Sequence, residues 1–139
     1  MKPILASIAT AVVLLSTPAQ AEPAIKVQPV QFKQGASGTT IKAQIKGEQI
    51  IDYTLRAAAG QTMVVRFKPG NPSAYFNVLP PGSSGEAIFV GSSAGNDFSS
   101  ELAASGEYTL RVYLMRNAAR RNATAKYTLD ISVTGTPRQ

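Results

Sequence analysis

Arginine side chains crowd one polar run, RNAARRNAT, near the end of the sequence. Arg116, Arg120 and Arg121 lie in this run, and no acidic residue occurs between Glu107 and Asp130. A guanidinium group stays charged at physiological pH and binds a carboxylate through two parallel hydrogen bonds. These residues therefore have the chemistry to bind acidic groups on a partner. The alternative is a solvated loop whose arginines only add charge.

The spacing of the arginines suits joint binding. If the run forms one helical turn, which its alanines permit, Arg116 and Arg120 lie four residues apart on one face and project together. Asn117 and Arg121 would then shape the tip. Arg111 belongs to an alternating segment before the run, so it is predicted to be a cation on a strand face and not part of the tip.

Catalysis by this chain is poorly supported by its residue types. The sequence has no histidine and no cysteine, so it lacks the usual general base, the usual zinc ligands and a thiolate nucleophile. Its Asp and Glu residues are scattered, and none shows the regular spacing of a calcium loop. No glycine-rich phosphate motif is present. We expect a protein that is not an enzyme and that has no cofactor and no metal site.

The segments on either side of the arginine run alternate between apolar and polar residues. The apolar positions are Tyr108, Leu110, Val112 and Leu114 before the run and Tyr127, Leu129, Ile131 and Val133 after it. This pattern predicts a long β-hairpin whose tip holds the arginines. Ser105 and Gly106 would form a tight turn before its first strand. The serine would either serve that turn or donate hydrogen bonds to a partner.

The remaining chain shows the same two-residue period between turn signals. Ile25 to Lys33 is predicted to be an edge strand, because Pro29 cannot donate a backbone hydrogen bond. Further strands are predicted at 41–45, 49–57, 62–68, 74–79 and, briefly, 87–90, and the pair 49–57 and 62–68 is predicted to form a second hairpin across a glycine turn. The prediction is an all-β chain, a single antiparallel β-sandwich of seven or eight short strands. A closed barrel is the alternative.

The beginning of the sequence predicts export. Lys2 precedes an apolar run from Ile4 to Leu15, and the small-residue pattern Ala19-Gln20-Ala21 follows. This is typical of a secretory signal peptide cleaved near Ala21, which predicts a signal peptide at 1–21 and one domain at 22–139 in the periplasm or outside the cell. The formal net charge is +6. A basic exported protein favours acidic partners, and nucleic acid is not expected among them.

Several segments resemble the periplasmic inhibitors of g-type (goose-type) lysozyme. They are SGEY at 105–108, LRV at 110–112 and RNAARRNATAKYTLDI at 116–131, with weaker similarity in IKG at 45–47 and YT at 53–54. The resemblance covers most of the predicted domain and is most specific in its last third. After Gly47, where members of the family carry aromatic residues, this chain has Glu48-Gln49-Ile50.

The resemblance implies a β-sandwich that blocks the substrate cleft of a g-type lysozyme and so protects peptidoglycan. Arg116 and Arg120 would enter the cleft, and the rest of the partner-binding surface would be Asn117, Arg121, Ser105, Gly106 and Tyr108, all along one edge. A carbohydrate- or cell-surface-binding accessory protein is the alternative, although the chain has no tryptophan for sugar stacking. A binder of anionic surfaces that uses the basic tip is a third interpretation.

Overall fold

Nine strands and two short helices form the part of the chain that the structure describes. A computed structural model describes residues 3, 9–16 and 25–138. The strands are β1 (Ile25–Pro29), β2 (Gly38–Lys46), β3 (Ile50–Ala57), β4 (Thr62–Pro69), β5 (Ala74–Leu79), β6 (Phe89–Val90), β7 (Asp97–Glu101), β8 (Gly106–Leu114) and β9 (Thr124–Thr134); the helices are α1 (Gly91–Ala94) and α2 (Arg116–Arg120). The predicted cleavage near Ala21 lies outside the described residues.

The strands are arranged in two facing sheets. One sheet, here sheet A, has the order β1-β3-β8-β5-β6, and the other, sheet B, has the order β2-β9-β4-β7. The predicted β-sandwich is confirmed, and the alternative of a closed barrel is excluded. Sheet A is mixed because β1 pairs with β3 in parallel, while the other strand pairs are antiparallel. β1 lies at the edge of its sheet, as Pro29 predicted.

Both predicted hairpins are wrong. Strands β8 and β9 lie in different sheets, and so do β3 and β4. Among the described strands, β5 and β6 are the consecutive pair that shares a sheet, and every other connection crosses the sandwich. Two-residue alternation shows which face of a strand is buried but not which strand pairs with it. A facing strand about 10 Å away buries the same alternate residues as a hydrogen-bonded neighbour does.

The strand count also differs from the expected seven or eight. Strand β7 was not predicted, because Phe98 is its one buried side chain and the rest of DFSSE is exposed and polar. Phe98 packs edge-on against Phe89, with ring centroids 5.3 Å apart. Phe89 in turn lies 5.0 Å from Phe76. Tertiary packing therefore holds an edge strand whose own composition favours a loop.

The core between the sheets includes one pair of polar groups. The hydroxyls of Tyr53 on β3 and Tyr127 on β9 lie 2.6 Å apart and share a hydrogen bond across the sandwich. Burial is the main cause that raises the pKa of both phenols above the ordinary value of 10.0. Because each hydroxyl has the other as its partner, this polar contact is compatible with an apolar core.

No helix in the part of the chain that the structure describes is long and apolar enough to cross a membrane.

Candidate functional site

Helix α2 forms the connection from β8 to β9 and carries the arginines at one end of the sandwich. Met115 leaves β8 and donates its backbone N–H to Ser73 O at 2.9 Å. Ala118 is 1% exposed and anchors the helix on the core. Arg116 and Arg120 are exposed and lie one helical turn apart, so the predicted helical turn is confirmed. At this separation their Cβ atoms are about 6 Å apart.

The last turn of α2 is fixed by backbone hydrogen bonds. Asn122 has a left-handed backbone conformation (φ 59°) and donates its N–H to Ala119 O at 3.0 Å. The next N–H, that of Ala123, donates to Ala118 O at 3.1 Å. Such bonds satisfy carbonyl groups that a helix end leaves free. A helix of five residues is too short to be stable alone, so these contacts hold the arginines in place.

The turn between β2 and β3 packs against this helix end. Gly47 has φ 62° and donates its N–H to Ala123 O at 2.8 Å. A Cβ atom at Gly47 would lie 2.5 Å from Asn122 Oδ1, so a glycine is needed for both conformation and space. Within the turn, Gln49 Oε1 accepts the N–H of Lys46 at 2.9 Å. The turn and α2 are thus one unit, which we call the arginine end.

A shallow depression crosses the arginine end. Its lining residues are Gly47, Glu48, Gln49, Ile50, Ser92, Tyr113, Leu114, Met115, Arg116 and Ala119. Met115 is 43% exposed and adds an apolar side chain beside the arginines. Glu48 is the acidic residue among these lining residues. The arginine end therefore offers cations, an apolar contact and one carboxylate to a partner.

The two arginines of α2, and Arg121 directly after it, have no ion-pair partner among residues 25–138. The ion pairs in this part of the chain join Lys68 to Asp130, Arg111 to Asp52 and Arg138 to Glu101. Arg116, Arg120 and Arg121 are exposed and are absent from these pairs. Asn117 is also exposed, and its Oδ1 accepts the N–H of Ala118 at 2.8 Å. The guanidinium groups are thus available to a partner.

Arg111 differs from the α2 arginines because it forms an ion pair within the fold. It lies on the outer face of sheet A, as predicted, and donates Nε and Nη2 to the two carboxylate oxygens of Asp52 at 2.8 and 2.9 Å. Asp52 is 7% exposed. The hydrogen bond to Asp52 raises the pKa of Arg111. Its partner lies 59 residues away in the sequence, so local inspection could not find it.

Ser105, Gly106 and Tyr108 lie far from the arginine end. They stand at the beginning of β8, and α2 follows its last residue. Eight strand steps separate the two ends by about 26 Å. The prediction that these three residues line the same edge as the arginines is therefore wrong. Both segments flank one strand in sequence, and an extended strand separates its two ends.

The three residues of this second cluster, the serine end, have structural contacts. Ser105 Oγ accepts the N–H of Ala59 at 2.8 Å. Tyr108 is buried, and its hydroxyl donates to Ala104 O at 2.6 Å. Gly106 has φ 147°, and a Cβ atom there would lie 2.8 Å from Pro81 Cβ. The interpretation of this segment as a turn that begins a strand accounts for each of these contacts.

Sugar stacking has little support from the exposed aromatic candidates. Tyr75 and Tyr113 are half-buried and pack against each other, with ring centroids 6.2 Å apart. The Tyr113 hydroxyl donates to Asn77 Oδ1 at 3.0 Å. No cluster of three or more metal-ligating side chains occurs within the described residues.

Two features of the arginine end were missed by sequence reasoning. The contact between Gly47 and Asn122 joins two loops that are distant in sequence, and no sequence signal pairs them. Met115 was not singled out either. Its position directly before a polar helix is the one signal that could have marked it as exposed.

Comparison with known proteins gives consistent results. No family model matches the chain. A curated relative from Escherichia coli (strain K12), an inhibitor of g-type lysozyme, is 34% identical over 106 residues, which are 75% of this chain and 78% of the relative. The crystal structure of Aeromonas hydrophila PliG, a periplasmic lysozyme inhibitor of g-type lysozyme, has a TM-score of 0.75 and 38% identity and covers 81% of this chain and 100% of its own. A mutant of the Escherichia coli PliG has a TM-score of 0.59 and 32% identity and covers 79% of this chain and 98% of its own.

Proposed function

This chain belongs to the family of periplasmic inhibitors of g-type lysozyme, and we propose that it inhibits such an enzyme by placing the arginine end in the substrate cleft. The relatives of this chain are inhibitors and not enzymes, which agrees with the absence of histidine and cysteine from its sequence. The contact surface would comprise Arg116, Asn117, Arg120 and Arg121. Ser105, Gly106 and Tyr108 are left out of it because they lie at the other end of β8.

The observation that carries this proposal is the pair of exposed guanidinium groups on α2. They project from one helical turn that is anchored by buried Ala118, and no carboxylate among residues 25–138 forms an ion pair with them. An anchored pair loses less conformational entropy on binding than two side chains on a free loop. The pair is thus suited to acidic groups in a narrow cleft.

The chemistry of a lysozyme cleft explains how such a pair would inhibit. Glycoside hydrolysis needs one carboxylic acid that stays protonated and a second carboxylate nearby. A guanidinium in the cleft excludes substrate from the space that it fills. Its positive charge also favours ionisation of the acid, which lowers the pKa of that group and removes the proton donor.

We also propose that the protein acts in the periplasm after export. Solved structures of its relatives are those of periplasmic inhibitors. The sequence pattern that ends at Ala21 supports cleavage there. Peptide sequencing of the mature protein from periplasmic extract should give Glu22 as its first residue.

The first test is inhibition of purified lysozymes. Residual muramidase activity of g-type, c-type and i-type enzymes is titrated with residues 22–139. We expect stoichiometric inhibition of the g-type enzyme and none of the other two. Full activity of the g-type enzyme at a large excess of the protein would contradict the proposal.

The second test addresses the arginines directly. Arg116→Ala/Arg120→Ala should weaken inhibition about a hundredfold or more, because each charge-assisted hydrogen bond contributes about 1.5–3 kcal/mol. The control Lys26→Ala/Arg56→Ala removes the same charge from exposed positions on β1 and β3 and should inhibit like the wild type. The Tm of both variants should stay within a few degrees of the wild type. A large fall in the Tm of the α2 variant would make the arginines structural.

A further inference from the structure

The outer face of sheet B carries four exposed lysines. Lys42 and Lys46 on β2, Lys126 on β9 and Lys68 on β4 are all exposed and point away from the core. The register places Lys42 and Lys68 on either side of Thr128. We call these four residues the lysine face. Two strand spacings separate Lys42 from Lys68 by about 10 Å, and four residues of β2 separate Lys42 from Lys46 by about 13 Å.

Internal ion pairs leave most of this charge unbalanced. Among the outward positions of β2, β9 and β4, the acidic residue is Asp130. Strand β7, at the edge of sheet B opposite to β2, adds Asp97 directly across from Arg66 and Glu101 across from Thr62. Asp130 lies 3.7 Å from Lys68 Nζ, and its Oδ1 accepts a hydrogen bond from Thr40 Oγ1 at 2.6 Å. Arg66 lies next to Asp130 in the register as well. Among residues 25–138, Lys42, Lys46 and Lys126 form no ion pair.

The outer face of sheet A shows that this imbalance is not general. There, Arg111 is directly opposite Asp52 and binds it. Arg56 is directly opposite Glu107 on the neighbouring strand. Arg111 and Arg56 are therefore placed directly opposite acidic residues. Lys42, Lys46 and Lys126 are instead opposite Thr128, Thr124 and Gln44, and Lys68 is the member of the lysine face that lies near an acidic residue, Asp130. A ligand that balanced the charge of the lysine face would therefore be anionic and come from outside the chain.

The shape and polarity of the face limit the kind of ligand. Lys42, Lys68 and Lys126 surround a shallow depression that also includes Gln44, Gly70 and Thr128. None of the exposed large apolar side chains of the described residues lies on sheet B. A protein partner usually needs an aromatic or apolar anchor, and a membrane surface that holds a protein stably usually needs apolar residues to insert in addition to charge. A flexible anionic polymer needs neither, since its binding is driven by charge and counterion release.

We propose that the lysine face binds the carboxylates of an anionic cell-wall glycan, namely peptidoglycan. The choice of this polymer among polyanions rests on the proposed function, because peptidoglycan is what a lysozyme inhibitor protects. The lysine face is continuous with the arginine end, since Lys46 directly precedes Gly47, which packs on Asn122. Binding to the wall would raise the local concentration of the inhibitor where its target enzyme must act.

Cosedimentation of residues 22–139 with purified, lysozyme-free peptidoglycan tests the proposal. The variant Lys42→Gln/Lys68→Gln/Lys126→Gln should bind about tenfold more weakly than the wild type or worse, with a shallower dependence on NaCl concentration. The control Lys26→Glu/Arg56→Gln lowers the net charge by the same three units, at exposed positions outside sheet B. It should bind within about twofold of the wild type, because salt screens charges that do not lie next to the bound polymer. Amidation of the peptidoglycan carboxylates should abolish the binding of the wild type.

Several outcomes would overturn the proposal. They are equal binding of the lysine-face variant and the wild type, equal loss in the charge-matched control, and undiminished binding to amidated peptidoglycan. Equal or tighter binding to vesicles of anionic phospholipid would assign the face to a membrane surface instead.

Inhibition measured on a soluble oligosaccharide separates this proposal from the proposed function. The lysine-face variant should inhibit a g-type lysozyme like the wild type, because its substitutions leave α2 and Gly47 unchanged. Arg116→Ala/Arg120→Ala should lose inhibition and still sediment with peptidoglycan. If the wild type inhibits no lysozyme but sediments through the lysine face, the proposed function fails and the binding site stands.

Discussion

Strand β8 has a polar cluster at each end, and the two clusters differ in what their side chains bind. At the serine end, the Ser105 hydroxyl accepts a backbone N–H and the Tyr108 hydroxyl donates to a backbone carbonyl. At the arginine end, the guanidinium groups of Arg116 and Arg120 have no ion-pair partner among residues 25–138. Both clusters are conspicuous in the sequence. The comparison teaches that polar atoms already bound within the fold point to stability, whereas anchored but unpaired charges point to a partner.

Gly47→Ala is expected to have the largest effect of the single substitutions that compare the two ends. It disturbs the turn that packs against α2 and so displaces the arginines. The new Cβ would clash with Asn122 Oδ1, and φ 62° would cost a residue with a side chain about 1–2 kcal/mol. We expect α2 to shift and inhibition of a g-type lysozyme to weaken about tenfold or more, which corresponds to about 1.4 kcal/mol. An inhibition titration and a thermal melt measure the two effects.

Gly82→Ala is the matched control for this variant. Gly82 also has a positive φ, of 80°, but a Cβ atom there would meet nothing within 4 Å. It follows Pro81, which contacts the serine end at Gly106. Gly82→Ala should therefore lower the Tm through its backbone conformation alone, by less than Gly47→Ala does, and leave inhibition unchanged. Equal inhibition by the Gly47 and Gly82 variants would show that the position of α2 does not matter.

The buried pair of Tyr53 and Tyr127 lies in the core and belongs to neither end of β8, so it provides a reference for effects on stability alone. Because burial raises the pKa of Tyr53 and Tyr127 above 10.0, the unfolded chain releases these protons at a lower pH than the folded chain. The free energy of unfolding should thus be independent of these groups well below pH 10 and fall above it, by at most about 1.4 kcal/mol per tyrosine and pH unit. Denaturant melts from pH 8 to pH 11 measure the slope.

Tyr53→Phe/Tyr127→Phe provides the control for that slope. Removing both hydroxyls leaves no buried donor or acceptor without a partner, so the stability at pH 8 should change little. Its loss of stability above pH 10 should be smaller than that of the wild type. An identical slope in the two proteins would assign the alkaline loss to other groups.

Tyr108→Phe should affect stability and not inhibition, which sharpens the contrast between the two ends. It removes the hydrogen bond to Ala104 O and leaves a carbonyl without this donor, at a cost of about 1 kcal/mol. The inhibition constant should remain within twofold of the wild type, because six strand steps, about 20 Å, separate Tyr108 from the end of β8 that leads into α2. A loss of inhibition without a loss of stability would place the serine end in the binding surface after all.

Ser105→Ala should have the smallest effect. The Ala59 N–H would lose its acceptor, but Ser105 is exposed and water can replace the hydroxyl. We expect a loss of stability of about 0.5 kcal/mol and unchanged inhibition. A tenfold weaker inhibition by this variant would show that the hydroxyl donates to the enzyme.

Local patterns were enough to predict most strands and the helical turn of α2. Alternation identified the buried side of β2, β3, β4, β8 and β9, and Pro29 identified an edge strand. Strand β7 was missed because its exposed side chains are polar and one phenylalanine holds it to the core. The four-residue spacing of Arg116 and Arg120 was sufficient to place both on one helical face.

Long-range contacts could not be predicted in the same way. The hydrogen bonds of Arg111 to Asp52 join residues that are 59 positions apart. The contact of Gly47 with Asn122 joins a turn between sheets to the end of a helix. Neither contact leaves a periodic trace in the sequence, because each depends on which strands become neighbours.

The sequence by itself determined the all-β class, the buried face of each main strand, the absence of the usual catalytic side chains and the excess of positive charge. Tertiary structure alone decided that consecutive strands mostly lie in opposite sheets, that the serine and arginine clusters are far apart, and that four lysines share one outer face. The physical reason is that alternation and residue type act over a few neighbouring residues. Strand pairing instead depends on how all the buried faces fit together at once.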